Sequence, residues 1–269
     1  WGITEPEHGT DTLCPFTPQF EDPAISGQVT ARLDGDAWVI SGQKSAWVSN
    51  GTIANQALAY LTIDPAMGMS GGGICIVPLD LPGIRKGRPL DKMGQRALNQ
   101  GEIFFDGVRV PKDYMLVDEE SYAAMLDITL STANAGMGAM FVGVARAAYE
   151  EALAYAKQRI QGGRALFEHQ LIKHKLFNMF TKIEAGRALS RAAMIYNYNN
   201  TPPNIEYSIA SKVFCTNMAL EVTSEAIQIF GGNGLSQEYT IEKIFRDARA
   251  ATIQDGVNET LAIGAASRL

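Results

Sequence analysis

Gly231-Gly232-Asn233-Gly234 is the stretch whose composition comes nearest to ligand chemistry, because clustered glycines let the backbone approach a phosphate closely. The dinucleotide fingerprint needs a preceding strand within a βαβ unit. Here a helical pattern precedes the glycines, so on its own the stretch reads as a helix C-cap turn. His8, His169 and His174 have the side chain for acid–base or metal chemistry, but lack partner Cys or carboxylate groups at metal-ligand spacing. No Gly-x-Ser-x-Gly elbow supports a serine hydrolase. Cys14, Cys75 and Cys215 are odd in number and widely spaced, which argues against a disulfide framework or a Cys-based metal site and favours a reducing compartment.

The elements that must position these residues fall into two textures. Among 269 residues, 46% are hydrophobic and 19% charged, the balance of an ordinary globular chain able to bury a sizeable core. A net charge of -6 with no local basic cluster leaves phosphate-mediated nucleic-acid binding unsupported. Lys, Asp, Asn or Gln interrupts every apolar run before the ~18 residues of a membrane span. From residue 1 to about 116, β-forming runs (38–40, 57–63, 74–78 and 102–105) alternate with the turn signals Asp34-Gly35, Asn50-Gly51 and Gly71-Gly72-Gly73. That texture predicts an antiparallel β-barrel or sandwich, and Pro111 marks its break. The second domain, 117–269, is predicted to be a four-helix bundle. Ile172, Leu176, Met179 and Ile183, and then Ile209, Val213, Thr216, Leu220, Thr223, Ile227 and Phe230, recur at helical spacing. Helices are expected over about 119–159, up to Thr201-Pro202-Pro203, up to Gly231, and over about 240–252.

Trp1-Gly2-Ile3-Thr4-Glu5-Pro6-Glu7-His8-Gly9-Thr10-Asp11 resembles a signature of the acyl-CoA dehydrogenase family, with His8 where a small residue is usual. Further family elements follow in order: Gly42-Gln43-Lys44 with Trp47-Val48-Ser49-Asn50-Gly51, Asp91 to Arg96, and Phe105 to Pro111. Later come Tyr155 to Arg159 with Gln161, Glu168-His169-Gln170, Ile183-Glu184-Ala185, Gln228 to Gly234, and Arg246-Asp247-Ala248. The resemblance runs through the whole chain. It implies that the family's helical N-terminal domain precedes Trp1, and that the protein is a fragment of something longer.

The resemblance also implies roles. Trp1, Ile3, Thr4, Trp47, Val48 and Ser49 would meet the isoalloxazine of FAD, offering backbone hydrogen bonds, a hydroxyl and an aromatic wall. Arg159 and Gln161 would reach the flavin pyrophosphate from a neighbouring subunit, an Arg fork suiting phosphate oxygens. His169, Gln170, Gln228, Gly231 and Gly232 would line the adenosine end, giving the helix-cap loop a second role. Val257, in place of a usual Thr, and Glu259 lie near the flavin, while Thr10, Asp127 and Gly256 match acyl-CoA contacts. Other departures are one extra residue between Lys44 and Trp47, expected as a bulge, Gly162 for an aromatic beside the adenine, and Leu130 for an Arg near the substrate.

Asp255, in Ile253-Gln254-Asp255-Gly256, stands where the family has its catalytic Glu; its plain reading is a polar turn residue before a glycine. The family's second location for the base corresponds to Thr129, which cannot do that work. By resemblance Asp255 removes the thioester α-proton, the β-hydride passes to flavin N5, and the Asp255 N–H with a ribityl hydroxyl stabilises the enolate oxygen. Asp reaches about 1.5 Å less far than Glu, so either the substrate comes closer or the proton taken differs. Some members of the family acting on alicyclic acyl-CoA thioesters carry Asp as base, and by that resemblance the expected acyl group is atypical: alicyclic, branched or dicarboxylic. Expected partners are an acyl-CoA, an electron-transfer flavoprotein and further copies in a homotetramer, in the cytoplasm or, in a eukaryote, the mitochondrial matrix. The alternatives are a nitroalkane-oxidase-like flavin oxidase of the same fold and a catalytically silent homologue.

Overall fold

The computed structural model describes residues 1–269. They divide into two compact units, one comprising 1–92 with 96–129 and the other 93–95 with 130–269.

The first unit is built on one seven-stranded sheet: β1 (Thr30–Asp34), β2 (Ala37–Lys44), β3 (Gln56–Thr62), β4 (Gly72–Pro78), β5 (Ile84–Lys86), β6 (Ile103–Pro111) and β7 (Met115–Val117). Their order is β5-β6-β2-β1-β3-β4-β7, antiparallel throughout except where β1 meets β3. The sheet is open and sandwich-like, with β5 and β7 at its edges, and does not close into a barrel. Period-two alternation buries Ala57, Ala59 and Leu61 from β3, Cys75 and Val77 from β4, and Val108 and Val110 from β6. Fully burying an aliphatic side chain such as Ile40 or Ile103 contributes about 1.5–3 kcal/mol.

In β6 the alternation skips at Asp106-Gly107: Ile103 and Phe105 are buried, then Val108 and Val110. Opposite them the register shifts between Ile40 and Gly42, and Gly107 adopts φ +59°. This bulge keeps both halves of a nine-residue strand facing one core. The bulge expected between Lys44 and Trp47 is absent. Those residues follow β2 in a turn, with the Val48 N–H donating to the Ser45 carbonyl at 3.4 Å. Gly72 and Gly73, expected in a turn, instead start β4, where the ring of Tyr122 lies 2.5 Å from where a Cβ on Gly72 would stand.

Helix α1 (Tyr122–Gln158) begins in the first unit and continues into the second, which also holds α2 (Gln170–Asn199), α3 (Ile205–Phe230), α4 (Ile241–Ala250) and α5 (Asn258–Ala266). The last is a fifth helix beyond the expected four. A two-stranded hairpin, β8 (Ile160–Gln161) and β9 (Arg164–Ala165), follows α1. Helix α3 is rotated by about one residue from the expected stripe. Its buried positions include Ile205, Ser208, Ile209, Ser211, Lys212, Cys215, Thr216, Ala219, Val222, Thr223 and Ala226, while Val213, Leu220 and Ile227 are half-buried. By length and composition α1 could cross a membrane, but half of its most apolar 18-residue window is buried, as in a core helix. Its small residues Ala145, Ala148, Ala152 and Ala156 allow close packing with Leu176, Met179 and Ile183 of α2 and with Met218, Val222 and Ile229 of α3.

Candidate functional site

In the first unit the signature segment is pinned by backbone and by a buried ion pair. The Gly2 N–H donates to the Leu58 carbonyl at 2.8 Å, and the Tyr60 N–H to the Gly2 carbonyl at 2.9 Å, adding the segment alongside β3. Lys44 Nζ donates to Glu5 Oε1 at 2.6 Å and to the Ile3 carbonyl at 2.9 Å. The Glu5 carboxylate also accepts the backbone N–H of Val29 at 3.1 Å and that of Gln28. Both charged side chains are almost fully buried, and burial lowers the pKa of Lys44 while Glu5 pulls it back up. The Thr4 and Ser45 hydroxyls lie 2.6 Å apart, and the Ser45 N–H donates to the Thr4 carbonyl at 2.9 Å.

This scaffold leaves Trp1 49% and Trp47 60% exposed, large apolar faces with solvent on one side. Trp47 is held through its carbonyl, which accepts from Gln100 Nε2 at 3.1 Å, and Ser49 bridges to the same Gln100. Val48 is buried, its carbonyl accepting the N–H groups of Gly51 and Gly101. Ile3, Thr4, Thr10 and Asp127 are half-buried. His8, the departure from the signature, is paired with Asp11, Nδ1 to Oδ2 at 2.6 Å, and Asp11 Oδ1 accepts the Gly9 N–H at 2.7 Å. Thr129 is occupied with its own helix, its hydroxyl donating to the Met125 carbonyl at 2.8 Å.

In the second unit two groups of expected ligand residues come together around the C-terminal end of α1. Arg159, Gln161, His169 and Gln170 surround the β8–β9 hairpin, where the Gln161 carbonyl lies 2.9 Å from His169 Nε2. The Arg159 guanidinium is exposed and carries no ion pair. One turn earlier Tyr155 stacks on Phe230 at 4.0 Å, and its hydroxyl accepts from Asn233 Nδ2 at 2.9 Å, which anchors the loop after α3. Gly231, at φ +62° and ψ -140°, ends α3 in a positive-φ conformation that glycine alone adopts readily. Gln228, Gly231 and Gly232 are exposed, and a Cβ built on either glycine would meet open space. Leu130, the replacement for an Arg, is buried.

Asp255 occupies the turn between α4 and α5. It takes φ +53°, uncommon for a residue with a side chain, and Gly256 follows at φ +100°. The Asp255 carboxyl has no hydrogen bond within the chain, and its N–H is likewise free. The side chain keeps solvent access, yet the protein atoms crowded around it raise its pKa above the ordinary carboxylate value, with Lys212 pulling the other way. Val257 is half-buried and Glu259 exposed at the start of α5.

Sequence reasoning missed the residues that hold this turn. Lys212, fully buried on α3, donates to the Gly256 carbonyl at 2.5 Å and to Asn258 Oδ1 at 2.7 Å. Asn258 Nδ2 donates to Thr216 Oγ1 at 2.9 Å and Asn217 Oδ1 at 3.0 Å. The available signal was a lysine three residues after Ile209 and four before Thr216, on the apolar stripe itself. Burial pushes Lys212 down to about 8, opposed by Asp255 and Glu259. The expected motif Asp91 to Arg96 contributes through Met93–Gln95, where Gln95 Nε2 donates to Gln254 Oε1 at 2.6 Å and Arg246 Nη1 to the Met93 carbonyl at 2.5 Å.

Comparison with known proteins joins these observations. Residues 1–108 match the acyl-CoA dehydrogenase middle domain and 124–269 the acyl-CoA dehydrogenase C-terminal domain. The chain is 34% identical over 261 residues to a short-chain specific acyl-CoA dehydrogenase of Megasphaera elsdenii, covering 96% of this chain and 64% of that protein. It is 35% identical over 235 residues to a cyclohexane-1-carbonyl-CoA dehydrogenase of Geobacter metallireducens, covering 86% and 60%. The solved structure of butyryl-CoA dehydrogenase from Megasphaera elsdenii superposes with TM-score 0.90 at 32% identity, over 99% of this chain and 66% of that one. The chain thus spans less than two thirds of the length of these relatives. An ordered set of signature motifs, a mixed sheet with a helical bundle, and domain matches across both units all agree: the chain belongs to the acyl-CoA dehydrogenase family.

Proposed function

We propose that this chain carries the FAD- and acyl-CoA-binding part of an acyl-CoA dehydrogenase that forms a carbon–carbon double bond α,β to the thioester. The observation that carries this reading is Asp255: a carboxyl with raised pKa and no hydrogen-bond partner, presented from a tight turn at the family's base position. A raised pKa suits a base that must take a weakly acidic proton.

The residues present suit a flavin dinucleotide. Trp1 and Trp47 offer open aromatic faces, Arg159 an unpaired guanidinium for phosphate, and Gly231-Gly232 an unobstructed backbone. Ile3, Thr4, Val48, Ser49, Gln161, His169, Gln170, Gln228, Val257 and Glu259 are the further contacts, with Thr10, Asp127 and Gly256 meeting the acyl-CoA. When bound, FAD supplies the acceptor for the β-hydride at N5. The chain's own work is to remove the α-proton at the Asp255 carboxylate and to offer the free Asp255 N–H to the enolate oxygen.

An aspartate reaches about 1.5 Å less far than a glutamate, enough to disfavour an acyl chain positioned for the longer base. The acyl group is therefore atypical: alicyclic, branched or dicarboxylic. The relative named for cyclohexane-1-carbonyl-CoA supports the alicyclic option. An electron-transfer flavoprotein as acceptor, a homotetramer and a cytoplasmic or mitochondrial-matrix location complete the proposal.

The test is to add straight, branched, alicyclic and dicarboxylic acyl-CoA thioesters, and separately a nitroalkane, anaerobically to the flavin-loaded full-length protein and follow the visible spectrum. Bleaching by an alicyclic, branched or dicarboxylic thioester is expected. Bleaching only by straight-chain thioesters overturns the atypical acyl group, and bleaching only by nitroalkanes, or by nothing, overturns the dehydrogenase reading.

A further inference from the structure

The Asp255-Gly256 turn is an unfavourable piece of backbone held from outside. Two successive residues have positive φ, and the first is an aspartate, which pays for that conformation with steric strain. Such a turn persists only where its surroundings over-determine it. Here they do so at three points. The Asn258 N–H donates to the Thr252 carbonyl at 3.0 Å, closing the turn. Leu261 packs so near Gly256 that a Cβ there would fall 2.8 Å from its Cδ2. Lys212 Nζ captures the Gly256 carbonyl at 2.5 Å.

Lys212 is costly as a purely structural choice. It is fully buried, and taking an ammonium out of water is expensive unless hydrogen bonds compensate. Its second acceptor, Asn258 Oδ1 at 2.7 Å, is itself fixed by Thr216 and Asn217, so the ammonium is aimed from a rigid mount on α3. The ammonium makes no direct ion pair with Asp255, yet it stands near enough to pull the carboxyl's pKa down against burial. Burial lowers its own pKa to about 8, opposed by the charges of Asp255 and Glu259.

We propose that Lys212 is the positioning residue for Asp255: bonded to the Gly256 carbonyl and the Asn258 amide oxygen, it holds the turn and so sets where the carboxylate stands. The inference rests on reading Asp255 as the base. Asp255 accepts the proton; Lys212 touches neither substrate nor flavin and acts through the backbone one peptide away. A carboxylate displaced by about 1 Å loses on the order of a hundredfold in rate. The role therefore shows in proton removal and leaves thioester binding almost unchanged.

The experiment measures exchange of the α-deuterium of butyryl-CoA and of cyclohexane-1-carbonyl-CoA by NMR in the flavin-loaded full-length protein, with thioester affinity measured alongside. D255N should abolish exchange. K212M should slow it about a hundredfold with affinity within a few-fold of the original. K212Q, which keeps a neutral donor, should lose on the order of tenfold. Exchange by K212M at the unmodified rate, with D255N inactive, overturns the role of Lys212 and leaves Asp255 as base. Exchange by D255N, or none by the unmodified protein, overturns the base itself and this proposal with it. If K212M does not fold, K212Q decides, and an unmodified rate in that variant overturns the proposal.

Discussion

Replacing Lys44 by Met tests whether the signature segment is held by a buried charge. In the native structure Lys44 Nζ spans Glu5 Oε1 at 2.6 Å and the Ile3 carbonyl at 2.9 Å, with both charged side chains at 3% exposure or less. Removing one partner of a buried pair costs about 3–5 kcal/mol, because the other charge stays behind without compensation. Here Glu5 keeps the N–H groups of Val29 and Gln28, which holds the expected loss for K44M near the lower end, about 3 kcal/mol. E5Q alone strands the ammonium and should cost a similar amount. The double variant E5Q/K44M removes both charges and should cost clearly less than the two singles added, with a coupling of at least about 1 kcal/mol. The assay is convenient, since the tryptophans, Trp1, Trp38 and Trp47, all lie in the first unit and their fluorescence in a urea titration reads that unit. A loss below about 1 kcal/mol for K44M, or strictly additive singles, would refute the argument.

Three further outcomes follow from the desolvation of titratable groups. Asp255 acts deprotonated and its pKa is raised above 3.8, so turnover should fall on acidification along a limb lying above that value; a limb at or below it would contradict the crowded environment. The sign for stability is opposite. A carboxyl with raised folded-state pKa makes the folded chain bind more protons in that window, so stability from this group falls as pH rises through it, and D255N should be no less stable than the parent at neutral pH. The thiols of Cys14, Cys75 and Cys215 are buried and pushed up to about 11, 12 and 11, so a disulfide reagent in mildly alkaline buffer should find none of them in the native protein and all three after denaturation. Rapid native labelling of any one would refute its burial.

Much of this protein was legible from local pattern. The change from period two to period 3.6, the stop at Thr201-Pro202-Pro203, the cap at Gly231 and the ordered family motifs are all carried by neighbouring residues, and local sterics and hydrogen bonding enforce them wherever the chain goes. β1 escaped notice because only Ala31 of Thr30–Asp34 is buried, leaving no alternation to read, and β5 and β7 are three residues each. α5 escaped because the turn before it is closed by Lys212, 44 residues away from Gly256 in sequence. The rotation of α3 has the same origin: a lysine and a threonine are fully buried because they reach Gly256 and Asn258, and periodicity cannot foresee a polar partner. The sequence by itself determined which residues are available for chemistry and which elements carry them. Tertiary structure alone decided which charges could be buried, since Lys44 and Lys212 are tolerable only where folding brings Glu5, Asn258 and backbone carbonyls within bonding distance.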